Sequence, residues 1–150
     1  MLRFVALLLF ILVVQAVSWA LGTMFGPGEW YASLNKPWFQ PDPKWFGLVW
    51  PVLYLLVAIA GWKVFIGGGD RPGWGAWVAQ MALNWAWVPL FFGAHMIFWA
   101  MVVLGANLLT AVAFVGATWN RDKLASLCFV PYCAWLVYAL SLNIAIWSLN

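Results

Sequence analysis

At residues 4–25 the chain reads FVALLLFILVVQAVSWALGTMF, with no charged side chain. As a helix this run reaches about 33 Å, enough to cross the roughly 30 Å hydrocarbon core of a bilayer. Arg3 before it and Ala20 within it would also fit a cleaved signal sequence. The run stays apolar for longer than such a sequence needs, so it reads as a first transmembrane helix. Hydrocarbon offers backbone groups no water, and a spanning run of this kind must be helical.

The same pattern returns four times along the chain. The expectation is an all-α membrane protein, a five-transmembrane-helix bundle forming a single domain over 1–150. Its helices are expected at about 4–25, 45–63, 73–94, 96–119 and 124–148. No segment alternates apolar and polar residues at period two, which argues against a β-barrel. Composition agrees: 67% of residues are hydrophobic and 7% charged. A soluble domain carries about 25% charged residues, and one of this size could not hide so much apolar surface. The net charge of +3 comes without a run of Lys or Arg, so no nucleic-acid partner is expected.

The charged residues mark the connections. Arg3, Lys63, Arg71, Arg121 and Lys123 fall on one side, Lys36 and Lys44 on the other. That bias predicts a cytoplasmic N-terminus. The connection at 26–44 reads GPGEWYASLNKPWFQPDPK, and its four prolines and two glycines forbid a continuous helix. Trp30, Tyr31, Trp38 and Phe39 make it adhesive, so it should lie on the membrane face or fold over a helix mouth. The connections at 67–72, 95 and 121–123 are short and make successive helices antiparallel neighbours.

The chain has 14 tryptophans. Trp19, Trp45, Trp62, Trp74, Trp119 and Trp147 sit near span ends, where indoles anchor at the interface. Trp50, Trp85, Trp87 and Trp135 lie deeper. A buried indole N–H wants a partner, so these pack between helices or line a cavity. Trp77, Gln80, Asn84, Trp87 and Phe91 recur at three- and four-residue steps and share one face of the third span. An amide in hydrocarbon is costly unless hydrogen-bonded. Gln80 and Asn84 therefore face another helix, as glue worth about 0.6–2 kcal/mol per bond, or face a ligand. Trp50 and Tyr54 stack at i, i+4 on the second span. Tyr132, Trp135, Ala139 and Leu142 or Asn143 follow one face of the fifth. Pro51, Pro89 and Pro131 lie inside spans, where each can bend its helix and leave room for a ligand.

Several classes are disfavoured. No Asp, Glu, Lys or Arg lies deep in a span, which argues against ion-coupled transport. His95, the single histidine, falls in a short connection and reads as interfacial, not as a metal ligand. No Ser-His-Asp set, paired carboxylates or phosphate loop appears, so acid–base catalysis is not expected. Cys128 and Cys133 diverge by roughly 140° around a helix and read as inert thiols. Small residues at Gly75 and Ala79, and at Ala106, Thr110, Ala113 and Ala117, allow close helix approach within the bundle or in a homodimer.

The loop strings Pro27-Gly28-Glu29-Trp30-Tyr31 and Leu34-Asn35-Lys36-Pro37-Trp38 resemble the TspO/MBR family. So do Trp50-Pro51-Val52-Leu53-Tyr54, the third-span string from Gln80 to Gly93, Pro131-Tyr132-Cys133-Ala134-Trp135 and Leu142-Asn143. That family includes translocator proteins (peripheral benzodiazepine receptors) and bacterial tryptophan-rich sensory proteins. The resemblance implies a dimerising five-helix bundle that binds porphyrins, sterols and benzodiazepine-type ligands beneath the first loop. Carried over by position, it points to Trp30, Trp38, Trp50, Tyr54, Asn84, Trp87, Phe91, Trp135 and Ala139. It also implies a bacterial cell membrane, or the mitochondrial outer membrane in a eukaryote. Animal members carry a basic residue after a fifth-helix tyrosine. Here nothing basic follows Tyr138 through Asn150, which favours tetrapyrroles over sterols. The usual paired prolines after the loop are split here as Pro41-Asp42-Pro43.

The leading expectation is a membrane binding protein or translocator for flat apolar molecules, porphyrins first, held as ligands and not as cofactors. Trp50, Trp87 and Trp135 would stack on the macrocycle, Asn84 or Gln80 would bond its polar edge, Lys36 at the rim would meet a propionate, and the loop would act as a lid. Two alternatives stay open: light-driven porphyrin breakdown by cavity tryptophans, and an assembly or regulatory protein.

Overall fold

The structure, a computed structural model, describes residues 2–68 and 71–150. Gly69 and Asp70, in the expected 67–72 connection, lie outside the described residues. The elements are α1 (Leu2–Phe25), α2 (Glu29–Ser33), α3 (Pro43–Ile66), α4 (Arg71–Val88), a π-helical turn (Pro89–Gly93), α5 (Ile97–Thr118) and α6 (Lys123–Leu149). No strand occurs among the described residues. Four helices, α1, α3, α5 and α6, are long and apolar enough to cross a membrane. α4 is not among them: its 18 residues hold Gln80, Asn84 and four tryptophans.

The long helices close into a ring in the order α1, α3, α6, α5, α4, with α4 returning to α1. Their outer faces are apolar, with Leu8, Leu12, Leu109, Val112 and Val137 exposed. That surface suits lipid tails and would be an aggregation liability in water. Inside, Val14, Val57, Phe114, Phe129 and Leu136 are fully buried. Phe114 stacks on Phe129 at 4.0 Å between ring centres. At the far end from the long loop, Asp122 caps α6 through the Ala125 N–H and pairs with Lys63 at 3.1 Å. Both gains follow from a carboxylate at a helix N-terminus beside a cation.

The third apolar run is not one regular helix to residue 94. Pro89 has no N–H to give the carbonyl one turn back. The following turn widens: the Ala94 N–H bonds the Pro89 carbonyl at 2.8 Å. Such i→i+5 turns are often found at functional sites. The chain then reverses at His95, whose φ of 57° is left-handed.

The connection at 26–44 is also more ordered than its prolines imply. It starts with the single turn α2 and then lies across one end of the ring. Tyr138 Oη donates to the Phe39 carbonyl at 2.9 Å. Asn35 and Asn150 bond reciprocally: the Asn35 N–H donates to Asn150 Oδ1 at 2.9 Å, and Asn150 Nδ2 donates to the Asn35 carbonyl at 3.0 Å.

Gly61 on α3 marks the tightest helix approach. A Cβ there would run into the Trp77 indole, whose N–H donates to the Val57 carbonyl at 2.9 Å. We expect Gly61→Leu to cost roughly 1–3 kcal/mol by overpacking and to lower the apparent Tm, followed by tryptophan fluorescence in detergent. Gly75→Leu, where an added Cβ meets nothing within 4 Å, should leave it unchanged. Equal effects of the two would contradict the packing described.

Candidate ligand cavity

Beneath the loop the ring encloses a cavity of about 630 Å³. That lies within the usual range for a small-molecule site, about 300–1,000 Å³. Its walls carry aromatic rings from three helices, the π-turn and the loop. From α3 come Phe46, Trp50 and Tyr54; from α4, Asn84 and Trp87; from the π-turn, Phe91 and Phe92; from α6, Ala139 and Asn143; and from the loop, Tyr31 and Gln40. Trp50 and Tyr54 stack at 5.3 Å with 27° between planes. Trp87 and Phe91 do the same at 5.2 Å and 19°. Each pair is spaced i, i+4, which places its rings one above the other on a helix face. The π-turn adds Phe92 beside Phe91, two adjacent residues both on the wall.

A polar chain crosses the floor. Tyr54 Oη donates to Asn84 Oδ1 at 3.0 Å. Asn84 Nδ2 donates to Tyr132 Oη at 3.0 Å, and Asn107 Nδ2 donates to the same oxygen at 3.1 Å. One amide thus joins α3 to α6, and the tyrosine beyond it joins α5. Trp87 Nε1 donates to Asn143 Oδ1 at 3.0 Å, while Asn143 Nδ2 donates to the Ile97 carbonyl at 3.1 Å. Trp85 Nε1 donates to Ser18 Oγ at 3.0 Å. Overhead, Gln40 Nε2 donates to Tyr31 Oη at 2.9 Å. Burial pushes the Tyr31 phenol up and this bond pulls it partly back, so the lid ring stays neutral.

Of the expected site residues, Trp50, Tyr54, Asn84, Trp87, Phe91 and Ala139 lie on the wall. Trp30, Trp38, Gln80, Trp135 and Lys36 do not. Consecutive residues on α2 point about 100° apart. Tyr31 takes the cavity, and Trp30 stacks instead on His95 at 4.0 Å. Trp38 is 95% exposed. Trp135 stands behind Trp50, edge-on at 6.2 Å. Lys36 Nζ donates to the Ala32 and Leu34 carbonyls and sits 4.8 Å over the Tyr31 ring, so it closes the end of α2. Gln80, one turn from Asn84, is fully buried with no partner at either amide atom. Tyr31, Gln40, Phe46 and Phe92 were missed as wall residues. Tyr31 and Gln40 reach the wall through the loop's tertiary path, which no local periodicity encodes. Among the described residues no group of His, Cys, Asp and Glu could hold a metal ion.

A ring of apolar helices around an internal cavity of small-molecule size, with neutral amides and hydroxyls among its lining, defines a multi-pass membrane protein. Residues 8–148 match the TspO/MBR family. Over 143 residues the chain is 38% identical to Protein CrtK of Rhodobacter capsulatus, covering 92% of this chain and 89% of that one. It is 37% identical to the tryptophan-rich sensory protein of Cereibacter sphaeroides over 130 residues, 86% of this chain and 82% of that one. It is 38% identical to the human translocator protein over 142 residues, 86% of this chain and 81% of that one. The chain belongs to the TspO/MBR family.

The floor predicts opposite signs for two polar substitutions. Tyr132→Phe removes the acceptor of two buried amides and should cost about 1–3 kcal/mol, read as a drop in apparent Tm. Gln80→Leu removes an amide that has no partner and should leave the apparent Tm unchanged or raise it. A stable Tyr132→Phe alongside an unstable Gln80→Leu would contradict the bonding described.

Proposed function

We propose that this protein is a membrane binding protein or translocator for flat apolar ligands, tetrapyrroles before sterols. The carrying observation is the pair of stacked ring faces, Trp50 with Tyr54 and Trp87 with Phe91, around the Asn84 amide. Flat rings bind flat molecules by offset stacking, at about 0.5–1.5 kcal/mol per pair beyond area burial. A neutral amide between them meets a polar ring edge without burying a charge. Among the described residues the walls carry no cation for an acidic ligand, so in this reading any carboxylate leaves through the rim.

In this reading α4 with its π-turn is a fifth span. Together they reach about 33 Å. Their low hydropathy is tolerable because Gln80 and Asn84 face inward, 0% and 4% exposed. The basic-residue bias supports a cytoplasmic N-terminus. A homodimer is supported by small residues on an open face of α5: Gly105 and Gly116 have nothing within 4 Å of an added Cβ.

Quenching of tryptophan fluorescence by protoporphyrin in detergent tests the binding reading. We expect saturable quenching, with affinity reduced at least tenfold, about 1.4 kcal/mol, in Trp50→Ala and Asn84→Ala. Trp38→Ala, off the wall, should match the wild type. Quenching that never saturates and is equal in all variants would show partitioning alone.

One observation favours light-driven breakdown of a bound porphyrin as a second reading. Oxidisable rings run outward from the wall: Trp50 to Trp135 at 6.2 Å, then Tyr138 at 5.4 Å. Pigment loss under illumination should then be slower in Trp135→Phe than in wild type. Loss no faster than for free porphyrin removes this reading.

A further inference from the structure

The cavity wall is incomplete along one seam. Trp19 and Gly22 on α1, and Gly47 and Pro51 on α3, line the cavity and are among the exposed residues of their helices. Trp19 is 73% exposed. A Cβ built at Gly22 or at Gly47 meets nothing within 4 Å. Neither glycine has a side chain to fill the space beside it, so each leaves the α1–α3 wall thin.

The rest of the seam is shut. Gln15 Nε2 donates to the Pro51 carbonyl at 2.8 Å, and the adjacent residue of α1, Val14, is fully buried. Further along, Trp62 Nε1 donates to the Arg3 carbonyl at 2.9 Å. The gap therefore runs from the loop end of α1 down to Gln15. Ten residues of helix are about 15 Å, roughly half the hydrocarbon thickness. This opening faces lipid tails for most of its length. The mouth toward water is crossed by the loop, held by the Tyr31–Gln40, Asn35–Asn150 and Tyr138–Phe39 bonds.

We propose that the gap between α1 and α3 is a lateral portal through which the cavity exchanges apolar molecules with the bilayer and not with water. The proposal rests on the reading that the cavity takes apolar ligands. A molecule of that kind is concentrated in the membrane, so a lipid-facing door spares it a passage through water and spares the protein the opening of its lid. It also selects, because charged solutes in the aqueous phase do not reach such a door.

The test needs no physiological ligand. In a Cys128→Ala, Cys133→Ala background, Ala139→Cys places one thiol on the cavity wall. The protein in lipid vesicles is treated with pyrene maleimide dissolved in the bilayer, or with a charged methanethiosulfonate in the water. Labelling should be faster from the bilayer. Gly22→Leu and Gly47→Leu should each slow it about tenfold, as a blocked gate does. Gly28→Leu, at the loop-side mouth, should leave it unchanged. All variants add atoms to open space, and rates are read on the monodisperse, folded fraction. Faster labelling from water, slowing by Gly28→Leu, or no slowing by the α1 and α3 variants overturns the portal. A protein that labels as expected but shows no saturable protoporphyrin quenching keeps the portal and loses the tetrapyrrole reading.

Discussion

An amide in hydrocarbon is costly without partners, and Asn84 finds two. Its oxygen takes the Tyr54 hydroxyl and its nitrogen gives to Tyr132. Everything above it follows from that bond pair. It fixes α3 and α6 against α4, and through Asn107 it draws in α5. Packing and hydrogen bonds must hold membrane helices together, because lipid tails are as apolar as the side chains. The cavity lies beside this bond network, with Tyr54 and Asn84 in its lining.

The lid is the second consequence. A chain of four prolines cannot extend α1 or start α3 early, so it must cross the ring end. What it crosses with is aromatic on one side and pinned on the other. Trp30 stacks on His95 at the corner after the π-turn, while Asn35 is tied to the end of α6. The loop is thus fixed at both flanks of the cavity. Lys36 spends its charge on α2 carbonyls, and the lid presents Tyr31 and Gln40, both neutral, to the interior.

Much of this was legible in the sequence, and the reasons differ by residue. The shared face of Trp77, Gln80, Asn84, Trp87 and Phe91 was readable because helical period is a local property. Four of the five are buried, and Trp87 is partly so. Pro89 announced a break, but a missing N–H does not say whether the chain kinks or widens. The loop was read for stickiness and not for path. Trp30 and Tyr31 look equivalent in a string, and one turn of helix decides which of them meets the cavity. Gln80 and Asn84 also look equivalent. The difference lies in Tyr54 and Tyr132, thirty and forty-eight residues away from Asn84, and no spacing rule reaches that far.

Why a cavity this size stays open is answered by the same residues that made the sequence unusual. A hollow among leucines and methionines closes by rotamer change, because those side chains bend at several bonds. An indole turns at two bonds only, and on α4 three indoles are tethered, Trp87 on the cavity wall and Trp85 and Trp77 off it. Trp87 is held by Asn143, Trp85 by Ser18 and Trp77 by the Val57 carbonyl. To fall inward, each would leave a buried N–H and its acceptor without partners, a loss of about 1–3 kcal/mol apiece. That exceeds what a ring regains by covering a few more carbons at about 25 cal/mol per Å². Asn143 is itself tied to the Ile97 carbonyl, so the tether of Trp87 does not slide. Trp87 acts as a fixed wall because its N–H is occupied by Asn143, and Trp85 and Trp77 hold the rest of α4 in place around it.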